Sequence, residues 1–140
     1  MRVLLDTNIV LDLILEREPF VAQATKLWEL HQQTNLDAYI SPITLINVFY
    51  ITRKIKDRET ARQAVVKLTQ GLLICATDAQ VLHLALTLPF KDYEDAVQHA
   101  AATQAGLEAI ITRDISDYDT ATIHIFTPTD FLQNFFSTSN

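Results

Sequence analysis

Glycine and proline are scarce in this chain, with two and four among 140 residues. That argues against collagen-like, linker-rich and low-complexity classes. A single cysteine, Cys75, rules out an internal disulfide and fits a reducing compartment. Its setting, L-L-I-C-A-T, points to a buried strand residue rather than a reactive thiol. No apolar run approaches the roughly 20 residues of a membrane-spanning helix. The N-terminus begins directly on a strand-like segment, so neither an anchor nor a leader is expected, and the expected location is cytoplasmic. Cations are also in deficit: 11 lysines and arginines face 17 acids, for a net charge of −6. A protein that coats nucleic acid through its global field would be basic. The acidity does not argue against an enzyme whose carboxylates gather at one metal site, because a bound cation reverses the local sign.

What is present is an ordinary globular composition, about half apolar, long enough for one core-bearing domain over 1–140. Short apolar runs at 3–6, 36–40, 71–76, 109–112 and 123–126 read as strands. Between them lie helical patterns. Thr7 or Asn8 can cap I-V-L-D-L-I-L-E, and Pro19 opens a second helix carrying Phe20, Ala24, Leu27 and His31 at three- or four-residue spacing. Ser41-Pro42 is a strong start for I-T-L-I-N-V-F-Y-I, and Asp57 begins a helix through residue 68. Asp78 caps a helix to about 88, and Asp92 caps another from 93 to about 104, stopped by Gly106. Thr127-Pro128 starts the last helix, through 136, before a fraying S-T-S-N tail at 137–140. Almost wholly apolar strands alternating with helices indicate a parallel sheet covered on both faces.

The chemistry lies in the acids. Asp6 ends the first strand, where an ionised carboxylate beside a core must be hydrogen-bonded, paired or cation-bound. Asp114 and Asp117 follow the fourth strand in I-I-T-R-D-I-S-D-Y. Asp92, Glu94 and Asp95 open the helix leading into that strand, so their end of the helix lies at the sheet's carboxyl edge, where open parallel sheets bind ligands. Taken singly each acid has an ordinary role: Asp92 as a cap, Asp95 as a favourable charge in the first turn, the loop acids as solvated groups. Several acids on one edge, with no lysine or arginine from 92 to 109, should hold raised pKa values or bind a hard divalent cation. Asp12, one turn beyond Asn8, faces solvent, pairs with Arg17 or supports the site. No Ser-His-Asp order and no Gly-rich phosphate loop appears, and His31, His83, His99 and His124 share no ligand spacing. Arg53, Lys54, Lys56 and Arg58, with Arg113, are candidates for contact with RNA phosphates, although a solvated helix end explains the first four slightly better. Trp28 and Phe20 read as core residues rather than base-stacking ones.

At L-L-D-T-N-I-V-L-D, S-P-I-T-L-I-N-V, D-Y-E-D-A-V-Q-H-A-A-A, I-I-T-R-D-I-S-D-Y and I-F-T-P-T-D-F-L the sequence resembles the PIN domain family, and within it the VapC-like toxin ribonucleases. The resemblance covers nearly the whole chain. It implies a three-layer α/β/α sandwich around a central, mainly parallel sheet of about five strands. It also implies a Mg²⁺- or Mn²⁺-dependent endoribonuclease with an antitoxin partner, an RNA substrate and a homodimeric state. By position, Asp6, Asp95, Asp114 and Asp117 match the family's catalytic and metal-binding acids, with Asn8, Thr112, Asp12 and Asp92 in support. Many members carry a glutamate on the helix after the second strand; this chain has Asn47, read as a supporting residue.

Two other classes remain. One is a PIN-fold binding module that is weakly active or inactive, for which Asn47 is the argument. The other is an aspartyl-phosphate phosphatase or receiver. Asn8 stands where such a phosphatase wants a second Asp, and Thr77 stands where a receiver wants its acceptor.

Overall fold

The computed structural model describes residues 1–138. Five parallel strands form one sheet: β1 (Arg2–Leu5), β2 (Asp37–Ile40), β3 (Leu73–Ile74), β4 (Ala109–Ile111) and β5 (His124–Phe126), in the order β3-β2-β1-β4-β5. The helices are α1 (Thr7–Ile14), α2 (Val21–Gln32), α3 (Pro42–Ile55), α4 (Arg58–Gly71), α5 (Ala79–Leu86), α6 (Tyr93–Gln104) and α7 (Pro128–Thr138).

Side-chain alternation along the strands builds two cores. Val3 and Leu5, Ala38 and Ile40, Ala109 and Ile111 point to one face, under α1 to α4 and α7. Leu4 and Ile110 point to the other, under α5 and α6. This is the expected α/β/α sandwich, with every strand pair parallel. The strand order reverses between β1 and β4, so the crevice beyond their carboxyl ends is the natural binding position of the sheet.

The caps that start the helices at this edge are in place. Ser41 Oγ accepts from the Thr44 amide, Asp78 from the Val81 amide and Asp92 from the Asp95 amide, each satisfying an otherwise unpaired donor of a first turn. Away from it, Asp57 accepts from the Thr60 amide and Gly106 ends α6 at φ +70, a left-handed turn that glycine adopts without penalty.

Four boundaries differ from expectation. The cap of α1 is Asp6 itself, accepting from the Thr7 amide, rather than Thr7 or Asn8. Pro19 sits in a turn before α2, which begins at Val21 behind Phe20. The third strand shrinks to Leu73–Ile74 because Gly71 completes α4 and only β2 is available to pair with it. Cys75 lies just past that strand and is buried; burial pushes its thiol up to about 11, and its Sγ donates to the Ala101 carbonyl. Of the expected tail, 137 and 138 continue α7, and the last two residues lie outside the described part.

Candidate functional site

The backbone delivers Asp6 and Thr112 side by side. The Asp6 amide donates to the Ile111 carbonyl at 3.0 Å, which fixes the end of β1 against the end of β4. Asp6 is 7 % exposed, and its carboxylate is surrounded by donors: the Thr7 amide at 2.8 Å, Thr112 Oγ1 at 2.8 Å, Gln98 Nε2 at 3.4 Å and Asn8 Nδ2 at 3.5 Å. Hydrogen bonds to a charged acceptor each contribute roughly 1.5–3 kcal/mol. Asp6 is therefore fixed in place before any ligand arrives. Asn8 also reaches Asp114 Oδ2 at 3.2 Å, and Thr112 Oγ1 accepts from the Asp114 amide at 3.0 Å. Two neutral side chains thus tie the strand-end acid to the loop acid.

Asp6, Asp95, Asp114 and Asp117 line one cleft, joined by Asp92, Glu94 and Asn8, with Arg17 and Arg113 on its rim. The crowding shows in protonation. Burial, then the charges of Asp6, Asp92, Asp117 and Glu94, lift the Asp95 carboxyl to about 7. Glu94 is raised by burial and by Asp92 and Asp6, against a lowering hydrogen bond from Asn47. Asp117 is raised by desolvation and by Asp114. Like charges held together at low local dielectric cannot all ionise cheaply.

The rim cations do not neutralise this cluster, because both are committed elsewhere. Asp12, 1 % exposed, lies beneath the rim and takes Arg17 Nε at 2.9 Å and Arg113 Nε at 2.7 Å. The Arg113 guanidinium also stacks 3.8 Å from the centre of the Phe20 ring, so Phe20 supports the rim rather than filling the core. The solvent-facing alternative for Asp12 is thereby corrected: it is a buried anchor. Asn47 does not line the cleft; its Nδ2 donates to Glu94 Oε1 at 2.7 Å. Arg53, Lys54 and Lys56 lie at the far end of α3, outside the cleft lining.

Three side chains escaped the sequence reading. Gln98 is fully buried and bridges Asp6 to Thr44 Oγ1; it stands one helical turn after Asp95, a spacing that could have flagged it. Thr44 in turn meets Thr7 Oγ1 at 2.9 Å. Tyr118, 2 % exposed, puts its hydroxyl beside Asp6 and Asp95, outside hydrogen-bond geometry, and burial first, then those charges, push its pKa up. Nothing in S-D-Y announces that.

The donor set is all oxygen, which suits a hard divalent cation such as Mg²⁺ or Mn²⁺. Among the described residues, no three acids, histidines or cysteines stand close enough to share one ion as placed. Asp6 is buried and fixed, Asp95 is half-buried, and Asp114 and Asp117 are exposed. The residues fit such an ion in the chemistry of their donors.

A PIN domain profile matches residues 2–116, most of the chain and every acid of the cleft except Asp117. The chain belongs to the PIN domain family. Solved PIN structures share its fold closely. A toxin–antitoxin complex from Klebsiella pneumoniae is 25 % identical, covering 90 % of this chain and 97 % of that one, with a TM-score of 0.68. DNA-bound VapBC from Salmonella typhimurium is 20 % identical, covering 91 % and 98 %, at a TM-score of 0.71. The sarcin–ricin loop cleaving toxin VapC20 of Mycobacterium tuberculosis is 14 % identical, covering 77 % and 86 %, at 0.62. This PIN domain is thus VapC-like in fold. No curated protein sequence matches it significantly.

Proposed function

We propose that this PIN domain is a divalent-metal-dependent endoribonuclease, the toxin of a toxin–antitoxin pair, working in the cytoplasm. The observation that carries the reading is the gathering of Asp6, Asp95, Asp114 and Asp117 on one cleft at the switch point of the sheet. The solved neighbours support it, one of them a toxin that cleaves the sarcin–ricin loop and another a toxin held by its antitoxin.

When bound, Mg²⁺ or Mn²⁺ supplies a polarised phosphate oxygen and an activated water. Asp6, Asp95, Asp114 and Asp117 are the residues that would hold it. Thr112, Asn8 and Gln98 keep the Asp6 carboxylate oriented through their hydrogen bonds. Asp95, whose carboxyl is lifted to about 7 in the metal-free cleft by burial and by its neighbouring acids, would give up its proton to hold the ion. Arg17 and Arg113 together carry one positive charge more than Asp12 neutralises, and that excess on the rim would face an RNA backbone. Exposed Ile46 and Tyr50 on α3 and Leu86 on α5 leave apolar surface for the antitoxin and for a second copy of the chain.

Cleavage of a panel of structured RNAs, transfer RNAs included, tests the reading with Mg²⁺, Mn²⁺ or chelator. Cleavage should require the metal, and Asp6→Ala or Asp95→Ala should abolish it while the thermal transition remains cooperative. RNA cut equally by Asp6→Ala refutes it. No cutting under any metal would favour the inactive binding module.

A further inference from the structure

The cations of this acidic chain are not spread evenly. Six of its 11 lysines and arginines lie between residues 53 and 67, on the end of α3 and along α4. All six are exposed, and none is ion-paired: the salt bridges among the described residues are those of Arg17 and Arg113 with Asp12. Helix-end stabilisation accounts for Arg53 and Lys54, which sit in the last turn of α3. It does not account for Arg58, which opens α4 where the dipole disfavours positive charge, nor for Arg62 and Lys67 further along.

Arg62 and Lys67 line a groove of about 510 Å³ between α2 and α4, together with Trp28, Gln32 and Gln70. Trp28 is half-buried and seated edge-on against Gly71, where a Cβ would stand 2.1 Å from the ring. Gln32 Nε2 secures the same point by donating to the Gly71 carbonyl at 3.0 Å. The Lys67 ammonium lies 5.2 Å from the centre of the indole. Aromatic surface flanked by unpaired cations and side-chain amides is the chemistry that holds single-stranded nucleic acid, bases on the ring and phosphates on the charges. An acidic protein segment would use the cations and leave the indole idle.

We propose that the α2–α4 groove binds a single-stranded stretch of RNA, with a base against Trp28 and the flanking phosphates on Arg62 and Lys67. The site is separate from the acid cleft and deepens the ribonuclease reading, on which it rests, by giving the substrate a second anchor. The cleft holds the cleaved phosphate; the groove selects RNAs with an unpaired segment.

Trp28 is the only tryptophan, so its emission reports on the groove alone. The full chain is titrated with a short oligouridylate in chelator, which prevents cleavage. Trp28 fluorescence should be quenched, with an affinity that falls steeply with salt. The double variant Arg62→Gln/Lys67→Gln, whose side chains are exposed and whose one ring contact is that of Lys67 with Trp28, should bind about tenfold more weakly with a melting temperature lowered by no more than a few degrees. The same variant should raise KM for a long RNA and leave kcat unaltered. The groove is refuted if the labelled oligonucleotide binds without changing Trp28, or if the double variant binds equally well. It is also refuted if a polyglutamate peptide quenches to the same extent. Loss of the groove with metal-dependent cleavage intact would sink this inference alone; quenching that follows the prediction in a protein that cuts no RNA would sink the ribonuclease reading alone.

Discussion

Asp95→Asn should stabilise the metal-free protein, and only above about pH 4. The Asp95 carboxyl, raised from an ordinary 3.8 to about 7 by burial and by four neighbouring acids, binds its proton more tightly in the folded state than in the unfolded chain. The sign follows directly. Below pH 4 both states are protonated and the group is neutral in the balance. As pH rises from 4 to 7 the unfolded chain ionises first, so folding stability falls, and above 7 the full penalty applies. The gap corresponds to about 4 kcal/mol at about 1.36 kcal/mol per pH unit. The carboxyl is only half-buried, and solvent screening cuts this by about half. Asparagine also forfeits the favourable charge in the first turn of α6, roughly 0.3–1 kcal/mol. The net gain is about 1.5 kcal/mol, or about 5 °C in Tm for a domain of this size.

Thermal melts of wild type and Asp95→Asn in chelator, at pH 5 and pH 8, measure this directly. The variant should melt higher at pH 8, and at pH 5 the advantage should fall to roughly 40 % of that. An equal gain at both pH values would show that the effect is packing rather than charge. A loss at pH 8 would refute the picture of mutually repelling carboxylates.

Three further outcomes follow from the same geometry. Mg²⁺ or Mn²⁺ should raise the wild-type Tm by mass action on the folded state, by about 2.7 kcal/mol at a hundredfold excess over Kd, and calorimetry of Asp6→Ala should show that shift lost. Asn47→Glu should destabilise the metal-free protein by about 1–2 kcal/mol in urea titrations at pH 8, because it replaces the 2.7 Å amide donor to Glu94 with a second carboxylate; an unchanged midpoint would contradict this. Asp12→Ala should cost about 3 kcal/mol in the same assay, since it leaves a cavity and two partly buried guanidiniums without their anion; a loss below half a kcal/mol would show that the pair is solvated.

The layers were legible because each strand is an apolar run with a turn signal at its end, and helix caps are short-range chemistry. Ser41, Asp57, Asp78 and Asp92 each accept from an amide three residues on, so their roles can be read locally. Asp6 misled the reading of α1 because one carboxylate does two jobs: it caps the helix through the Thr7 amide and lines the cleft. Placing the acids on one edge needed only the rule that a helix feeding a parallel strand starts at the carboxyl side. What could not be read was the layer beneath. Gln98, Thr44 and Tyr118 act through contacts 23 to 112 residues away in sequence, and beyond the one-turn spacing of Gln98 from Asp95 nothing local signals them.

Asn47 shows how such a departure makes sense in three dimensions. A glutamate at 47 would meet Glu94, which reaches from the first turn of α6 to the same place. One carboxylate, Glu94, stands at this side of the cleft, supplied by α6. With the neutral amide donating to it, Glu94 is held against the repulsion of Asp92 and Asp6, the charges that raise its pKa. The Asn47–Glu94 pair is therefore an acid and its support, and the cleft retains the negative charge that a hard cation needs. The same division runs through the site. Asp6 has Thr112, Asn8 and Gln98; the rim arginines have Asp12; Asp95, half-buried among four other acids and lacking comparable support, is the one driven to hold a proton.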